Sequence, residues 1–442
     1  MQLNHAPQPL PASWAGTPGS IRSSGAHRTF ERRSEYRGRT SIGTSACAYV
    51  SGESGKMAQD RLLKRWLAKL AAVVLFWTGC HAHAQNGVTA DSIIIGQSAP
   101  LSGAAAQLGQ QLSLGARLYF NAVNAAGGIH GRKIDFKVLD DGFDADTSAR
   151  NTRTLINDAK AFALFGYVGT QSSMAALKVA NPAGVPFFAP YAGAQSLREP
   201  FARNVFHVRA GFNDETAAII QQIRAVGQKR IAVIYNDDAY GRAGLDGLRH
   251  ALALPANAGL ALVGQASVAR YTTDIKAVLS SVLAQKPEVI AVVCGYQTVV
   301  ALVSEAQVQG YAGQFYNLSL VGSKMQTKEL GTTGSGVVIS QVMPYPRSVS
   351  TPIVREYQKL LKANGITDFD YCSLEGYIAA RALVDGLRGA GRDLTRDKFI
   401  RALEALGNHD MGGFVLNFSP SNHLGSSFVE MTIVSARGQV IR

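Results

Sequence analysis

Apolar residues follow two alternating spacings along the chain, and the alternation is clearest between residues 93 and 141. Ile93-Ile94-Ile95 is a short apolar run, typical of a buried strand. Apolar residues then recur every three or four positions, as on one face of a helix: Leu112, Ala116, Tyr119, Val123 and Ala126. Gly127-Gly128 ends that helix, and Lys133 to Leu139 alternates polar and apolar. The pattern predicts a strand–helix–strand unit. The loop between its first strand and its helix lies at the carboxyl end of that strand, which is where ligands bind in open α/β sheets.

The same alternation continues through most of the chain. Further short apolar runs predict strands at 163–165, 184–189, 231–235, 260–263, 289–293, 315–320 and 337–341. Helical patterns separate them, one of them capped by Asn213 or Asp214. After two prolines, at Pro344 and Pro346, the pattern is mainly helical to residue 406, and extended segments return at 414–418 and 428–434. The sequence predicts an α/β protein with two parallel-sheet units.

Length and charge narrow the possible functions. The 442 residues, 46% hydrophobic and 17% charged, are enough for two domains. The net charge of +13 would suit a nucleic-acid partner, but residues 1–84 carry +7 of it, from eleven Lys/Arg against four Asp/Glu. The other 358 residues carry +6 in scattered positions, without a basic run. We therefore expect no nucleic-acid binding.

Residues 57–84 have the features of a secretory signal peptide. Four basic residues follow Met57, and Leu70 to Thr78 is an apolar core too short for a stable transmembrane helix. Ala82-His83-Ala84 is a small-x-small cleavage pattern. This predicts export to the periplasm, with lipidation at Cys80 as the less favoured alternative. Residues 1–56 are predicted to be a mis-start or a disordered extension.

Several kinds of catalytic chemistry have no matching motif. The five histidines after the leader lack metal-site spacing, and there is no nucleophile elbow, P-loop or Gly-x-Gly-x-x-Gly. Asp140-Asp141, at a strand end, fits helix caps or solvated loop residues better than a catalytic carboxylate pair. Cys294 and Cys372 allow at most one disulfide after the leader. We expect a protein without catalytic activity, metal or cofactor.

Five motifs, in this order, resemble the extracytoplasmic solute-binding proteins of branched-chain amino-acid type ABC importers. They are APLSG at 99–103, NAAGGIHGRKI at 124–134, DD at 140–141, DAYG at 238–241 and SLEGY at 373–377. The resemblance extends from about Gly87 to Arg442.

The resemblance implies a type I periplasmic binding protein fold, in which two doubly wound parallel-sheet lobes are joined by three hinge crossings, near His207, Met343 and Gly413. Lobe 1 would comprise 86–207 and 344–412, and lobe 2 would comprise 208–343 and 413–442. A disulfide between Cys294 and Cys372 is not expected, because it would link opposite lobes and oppose opening.

The resemblance also places a ligand site between the lobes. From lobe 1 it implies two strand-to-helix loops: the first, Thr170, Gln171 and Ser172, starts a helix whose free N–H groups favour a carboxylate, and the second is Tyr191, Ala192 and Gly193. From lobe 2 it implies Tyr240 and Tyr296, which would close over the ligand, and Ser319.

Two of these positions differ from leucine-binding relatives. Gly193 replaces a threonine, and Ser319 replaces the glutamate that pairs with the ligand's ammonium group. A desolvated ammonium without a carboxylate costs several kcal/mol. Either another acid (Glu375, Asp140 or Asp141) replaces that glutamate, or the ligand is not an α-amino acid.

These features predict a periplasmic, monomeric binding protein that captures a small carboxylate-bearing ligand and delivers it to the membrane permease of an ABC importer. A branched-chain or related amino acid is the leading ligand class, with an aromatic or other organic acid, or an amide, as the alternative. A periplasmic ligand sensor remains a second role, and a nucleotide-dependent enzyme a third.

Overall fold

The computed structural model describes residues 87–442. The extension 1–56, the signal peptide 57–84 and the lipidation alternative at Cys80 lie outside the described residues, and they stay predictions. No helix within 87–442 combines the length and the apolar character needed to cross a bilayer.

The first sheet forms from the segment in which the strand and helix spacings alternate most clearly. Its strands run parallel in the order β2-β1-β3-β4-β5. They are β1 (Ser92–Ala99), β2 (Lys133–Asp140), β3 (Ala163–Phe165), β4 (Phe187–Phe188) and β5 (Val205–Phe206), and the helices between them are α1 (Ala106–Ala125), α2 (Ala145–Asn157) and α3 (Thr170–Ala180).

The second sheet begins after the first crossing between lobes. Along the chain come α4 (Phe212–Ala225), β6 (Arg230–Asn236), α5 (Ala239–Leu252), β7 (Ala261–Val268), α6 (Lys276–Leu283), β8 (Val289–Val293), α7 (Tyr296–Val308), β9 (Gln314–Asn317), α8 (Ser323–Leu330) and β10 (Val338–Gln341). Strand β7 extends five residues beyond the predicted segment 260–263, which brings Arg270 to the carboxyl edge of the sheet.

The rest of the chain is helical before it returns to the second sheet. It contains α9 (Pro352–Ala363), α10 (Tyr371–Gly389), α11 (Arg396–Glu404), a hairpin of β11 (Gly407–Asp410) and β12 (Val415–Phe418), then β13 (Glu430–Val434) and β14 (Val440–Ile441). The second sheet has the order β14-β13-β10-β9-β8-β6-β7, in which β13 pairs antiparallel with both β10 and β14 and the other pairings are parallel. The predicted α/β architecture of two parallel-sheet lobes is confirmed.

Apolar contacts assign the late helices to the first sheet. Ile353, Leu374 and Phe399 are buried in one cluster with Ile93 and Phe165, because the helices carry apolar faces that the first sheet alone can cover. Three residues around β12 belong to the same cluster: Phe414, Leu416 and Phe418. Strand β12 therefore packs against the core of the first sheet, and the hinge crossings and lobe boundaries stay predictions.

One capping prediction is wrong. The N-cap of α4 is Gly211 rather than Asn213 or Asp214. Asp214 instead accepts a hydrogen bond at 2.8 Å from the Gly211 N–H, as a third-position carboxylate does in a capping box.

Helices α1 and α10 approach each other through glycines. A Cβ on Gly376 would lie 2.0 Å from the Leu112 carbonyl oxygen, and one on Gly115 would lie 1.8 Å from the Ser373 carbonyl oxygen. Both obstacles are helix backbone, which cannot move aside locally. The glycines therefore set the distance between the two helices that cover the first sheet.

We expect Gly376→Ala to lower the free energy of unfolding by about 3 kcal/mol, because the added methyl group must push α1 away. Gly389→Ala is the matched control on the same helix: its Cβ would lie 3.3 Å from the Ala402 Cβ, and we expect a change of under about 1 kcal/mol. Urea unfolding measures both. Equal stabilities of the two variants would contradict the close approach.

Candidate ligand site between the lobes

A cavity of about 50 Å³ lies where the loops after the first-sheet strands face those of the second sheet. Its lining residues come from both lobes, and most follow the carboxyl end of a strand. From the first lobe these are Ala104, Ala105, Gln107, Leu108, Phe143, Gly169, Thr170 and Gln171; from the second, Asn236, Asp238, Tyr240, Arg270, Tyr271, Gly295, Tyr296, Gln297, Leu320 and Val321.

The start of α3 forms the polar end of the first-lobe wall. Gly169 is the N-cap at φ 91°, a conformation that favours glycine, and no side chain caps the helix. The N–H groups of the first turn therefore lack intrahelical acceptors, as at any helix start. Thr170 is 1% exposed, and its Oγ1, like Oε1 of Gln171, has no hydrogen-bond partner within residues 87–442. This corner offers donors to an anion.

Arg270 closes the opposite wall and reaches across to the first lobe. Its Nε donates to Asp238 Oδ2 at 3.0 Å, and its Nη1 donates to the Phe143 carbonyl oxygen at 3.4 Å. The guanidinium lies over the rings of Phe143 and Tyr271, at 5.0 and 5.8 Å from their centroids. Asp238 Oδ1 also accepts from the Gly241 N–H at 2.9 Å as the N-cap of α5. Both oxygens of this carboxylate are therefore bound.

Two tyrosines of the second lobe lie at the cavity. Burial raises the pKa of Tyr240 well above its usual value, so its hydroxyl stays protonated and can donate. That hydroxyl has no partner in the described part of the chain, and the Tyr240 ring packs edge-on against Phe212 at 5.5 Å. Tyr296 starts α7, and the next residue, Gln297, donates to the Ala104 carbonyl oxygen of the first lobe at 3.3 Å.

A buried ionic cluster lies between the lobes, behind the cavity wall. Arg209, 1% exposed, has Nη2 at 3.6 Å from Glu215 Oε1 and Nη1 at 3.6 Å from Glu375 Oε1. Its guanidinium stacks on the Tyr191 ring at 4.7 Å and donates to Ser319 Oγ. Glu215 comes from the second lobe and Glu375 from α10 on the first. A fixed arginine thus lies between two carboxylates, one from each lobe.

Glu215 is held by several donors. Its Oε2 accepts from the Ser319 N–H at 2.8 Å and from the Ser340 hydroxyl at 2.6 Å, and its Oε1 accepts from the Ser319 hydroxyl at 3.1 Å. Ser319 therefore binds within this cluster rather than at the cavity. Glu375 has fewer partners. Burial raises the pKa of its carboxyl group to about 7, although the charge of Arg209 acts to lower that pKa.

The stability of the protein should therefore depend on the ionisation of Glu375. Its pKa is about 7 in the folded chain, against 4.5 as its ordinary value. Between these values the folded state binds more protons, so stability falls as pH rises from about 4.5 to 7, by about 3 kcal/mol in total. We expect Glu375→Gln to lack this decline when urea unfolding is measured across that range. The same slope in both proteins would assign it to other groups.

Four of the nine predicted ligand residues line the cavity: Thr170, Gln171, Tyr240 and Tyr296. The other five do not line it. Ser172 is buried in the first turn of α3, and Tyr191, Ala192 and Gly193 are buried beside Arg209 and Phe212, while Ser319 joins the Arg209 cluster. A Cβ on Gly193 would lie 2.4 Å from the Phe212 ring, so a threonine does not fit there. The ligand roles of all nine stay predictions.

None of the acids considered as replacements for the missing glutamate lines the cavity. Asp140 accepts from the N–H groups of Leu101 and Gly142 at 2.7 and 2.9 Å. Asp141 is buried, which raises its pKa to about 6, and accepts from the Ser98 hydroxyl at 2.8 Å. Both therefore organise their loop, and Glu375 faces Arg209.

Arg270, Tyr271, Phe143 and Asp238 are the main lining residues that the sequence pattern leaves out. A signal was available in the sequence: each of these residues follows the end of a parallel strand by two or three residues, at the edge where ligands bind. No group of three or more His, Cys, Asp or Glu side chains within 87–442 could hold a metal ion. Cys294 and Cys372 are free, buried thiols.

A model of the family described as periplasmic binding protein matches residues 92–439. This chain belongs to that family. The binding protein is similar to a Pseudomonas aeruginosa "Amino acid binding protein", with 25% identity over 338 residues, 75% of this chain and 86% of the relative. The resemblance found in the sequence motifs is confirmed.

Two solved structures resemble this binding protein closely. A possible leucine/isoleucine/valine-binding protein from Rhodopirellula baltica SH 1 has a TM-score of 0.74 and 29% identity, covering 80% of this chain and 97% of its own. A substrate-binding periplasmic protein from Ralstonia solanacearum has a TM-score of 0.72 and 30% identity, covering 79% and 99%. The type I periplasmic binding fold and the Leu/Ile/Val-binding type are thereby shown.

Proposed function

We propose that this binding protein captures a small carboxylate-bearing solute in the cavity between its lobes and presents the closed form to the permease of an ABC importer. One observation carries the proposal: the lining from both lobes contains buried polar atoms without a partner in the described chain. They are Nε2 and Oε1 of Gln107, Oγ1 of Thr170, Oε1 of Gln171, Oδ1 of Asn236 and the Tyr240 hydroxyl. Each such atom costs about 1–3 kcal/mol when left unpaired, and a bound solute would remove that cost.

Closure by hinge motion is supported by the contacts at the cavity rim. Arg270 and Gln297 each reach a first-lobe carbonyl oxygen, and both hydrogen bonds are long, at 3.4 and 3.3 Å. Such bonds break at little cost, so the rim can open. A ligand that contacts both walls would then shift the population toward the closed form.

Export and partners complete the proposal. The signal peptide 57–84 would deliver the chain to the periplasm, where it would act as a monomer, without cofactor, nucleic acid or chemical turnover. The names of the relatives favour a branched-chain or related amino acid as ligand. An organic acid or an amide is the second class.

A thermal-shift screen of the purified protein tests the proposal. The compounds are amino acids, amides, and aliphatic and aromatic acids. A cavity ligand present at about 100 times its dissociation constant should raise the free energy of unfolding by roughly 2.7 kcal/mol. Tyr296→Ala should weaken any compound that binds. A protein that no compound stabilises would argue against the proposal, and turnover of a compound would contradict it.

A further inference from the structure

The charges around the cavity bear on which solutes can enter it. Among the described residues that line it, Asp238 is the only acid and Arg270 the only base. Asp238 already binds Arg270 at 3.0 Å and the Gly241 N–H at 2.9 Å, one with each oxygen. The cavity therefore has no free carboxylate with which an ammonium group could pair.

The two carboxylates of the Arg209 cluster are not among the residues that line the cavity. Glu215 and Glu375 face the guanidinium of Arg209, and Arg209 is held against the Tyr191 ring. The protein thus supplies its own cation between the lobes. Neither carboxylate lines the cavity, so neither is placed to pair with the ammonium group of a ligand bound there.

Several donors, by contrast, suit an anion. The first turn of α3 presents N–H groups and the positive end of the helix dipole, and Thr170 Oγ1 lies there without a partner at 1% exposure. The protonated Tyr240 hydroxyl and the Arg270 guanidinium lie across the cavity. Gln107, Gln171 and Asn236 also have oxygens without a partner in the described chain, but a neutral amide dipole does not balance a full desolvated charge.

The rest of the lining is apolar and partly flat. Phe143, Tyr271 and Tyr296 present rings, and Leu108, Leu320 and Val321 present aliphatic groups. Rings and branched aliphatic groups pack well against a flat or branched hydrocarbon body.

We infer that the ligand is a small carboxylate that carries no ammonium group and has an aromatic or branched apolar body. This inference rests on the proposed capture of a solute in the cavity and narrows its ligand class. The carboxylate binds at the start of α3, and the apolar body lies between the rings of the two lobes. An α-amino acid with the same skeleton is rejected because its ammonium group loses water and gains no carboxylate.

Matched compounds test the inference by isothermal titration calorimetry on the purified protein. One series is 3-phenylpropanoate, 3-phenylpropanamide and L-phenylalanine, and the other is 3-methylbutanoate, 3-methylbutanamide and L-valine. In at least one series we expect the carboxylate to bind about 100-fold more tightly than the amino acid and about tenfold more tightly than the amide.

The outcomes separate this inference from the proposed function. An amino acid that binds as tightly as its carboxylate overturns the inference and leaves the proposed function standing. An amide equal to the carboxylate overturns the requirement for an anion. If none of the six compounds binds, the inference is wrong as stated, and the wider screen then decides the proposed function separately.

Two variants locate the carboxylate. Thr170→Val keeps the shape of the side chain and removes the hydroxyl, and we expect it to weaken the preferred carboxylate about tenfold. Ser173→Ala is the control: its Oγ is also buried without a partner in the described chain, on the same helix, but it does not line the cavity. The affinity of the Ser173→Ala protein for the preferred carboxylate should be unchanged. Equal affinities of all three proteins would exclude the Thr170 hydroxyl as a donor to the carboxylate.

Discussion

Arg209→Met is expected to destabilise the protein by about 4 kcal/mol, because it leaves Glu215 and Glu375 buried without their cation. Methionine has a similar length and can fill the space beside the Tyr191 ring, so the loss reports charge more than volume. The effect should shrink as pH falls toward 5, since a protonated Glu375 needs no partner. Urea unfolding at pH 5 and pH 8 measures both parts.

Two controls sharpen this experiment. Arg203→Met removes an ion pair with Asp397 whose side chains are 53% and 64% exposed, and it should cost at most about 1 kcal/mol. The triple variant Arg209→Met, Glu215→Gln, Glu375→Gln removes all three charges, and it should recover most of the lost stability. An Arg209→Met protein as stable as the wild type would show that the cluster contributes little to folding.

The architecture could be predicted from the sequence because local patterns of apolar residues determine its strands and helices. Strand β8 occupies the predicted residues 289–293, and β3 the predicted 163–165, since each is a short apolar run between helical patterns. The predicted segment ends at residue 263, before the end of β7, because residues 264–268, Gly-Gln-Ala-Ser-Val, are mostly small or polar. Its pairing with β6 along the sheet edge, rather than its composition, extends it.

The site was less readable because tertiary contacts decide it. Thr170 and Tyr296 follow predicted strands, and both line the cavity. The family resemblance implies a ligand contact for Ser319. In the structure Ser319 instead hydrogen-bonds with Arg209 and Glu215, which are 110 and 104 residues away in the chain. No local pattern reveals hydrogen bonds between such distant residues. The N-cap prediction for α4 is wrong because an aspartate can stabilise a helix start either as the N-cap or as the third helical residue. Asp214 occupies the third position, and Gly211 is the N-cap.

Arg270→Gln is expected to weaken binding of the preferred carboxylate about 100-fold, and to narrow the preference for the carboxylate over the matching amino acid to about tenfold or less. Two effects combine. The cavity loses its one lining cation and the bridge to the Phe143 carbonyl oxygen. Asp238 also loses its partner and becomes available to a ligand's ammonium group.

The neighbouring pair provides the control for this variant. Arg242 binds Asp237 at 2.6 Å, one residue before Asp238, but both side chains are more than half exposed and neither lines the cavity. Arg242→Gln should therefore leave both affinities unchanged. Calorimetry with 3-methylbutanoate and L-valine measures the two variants side by side. If Arg270→Gln weakens both compounds by the same factor, Asp238 does not control selection against the ammonium group.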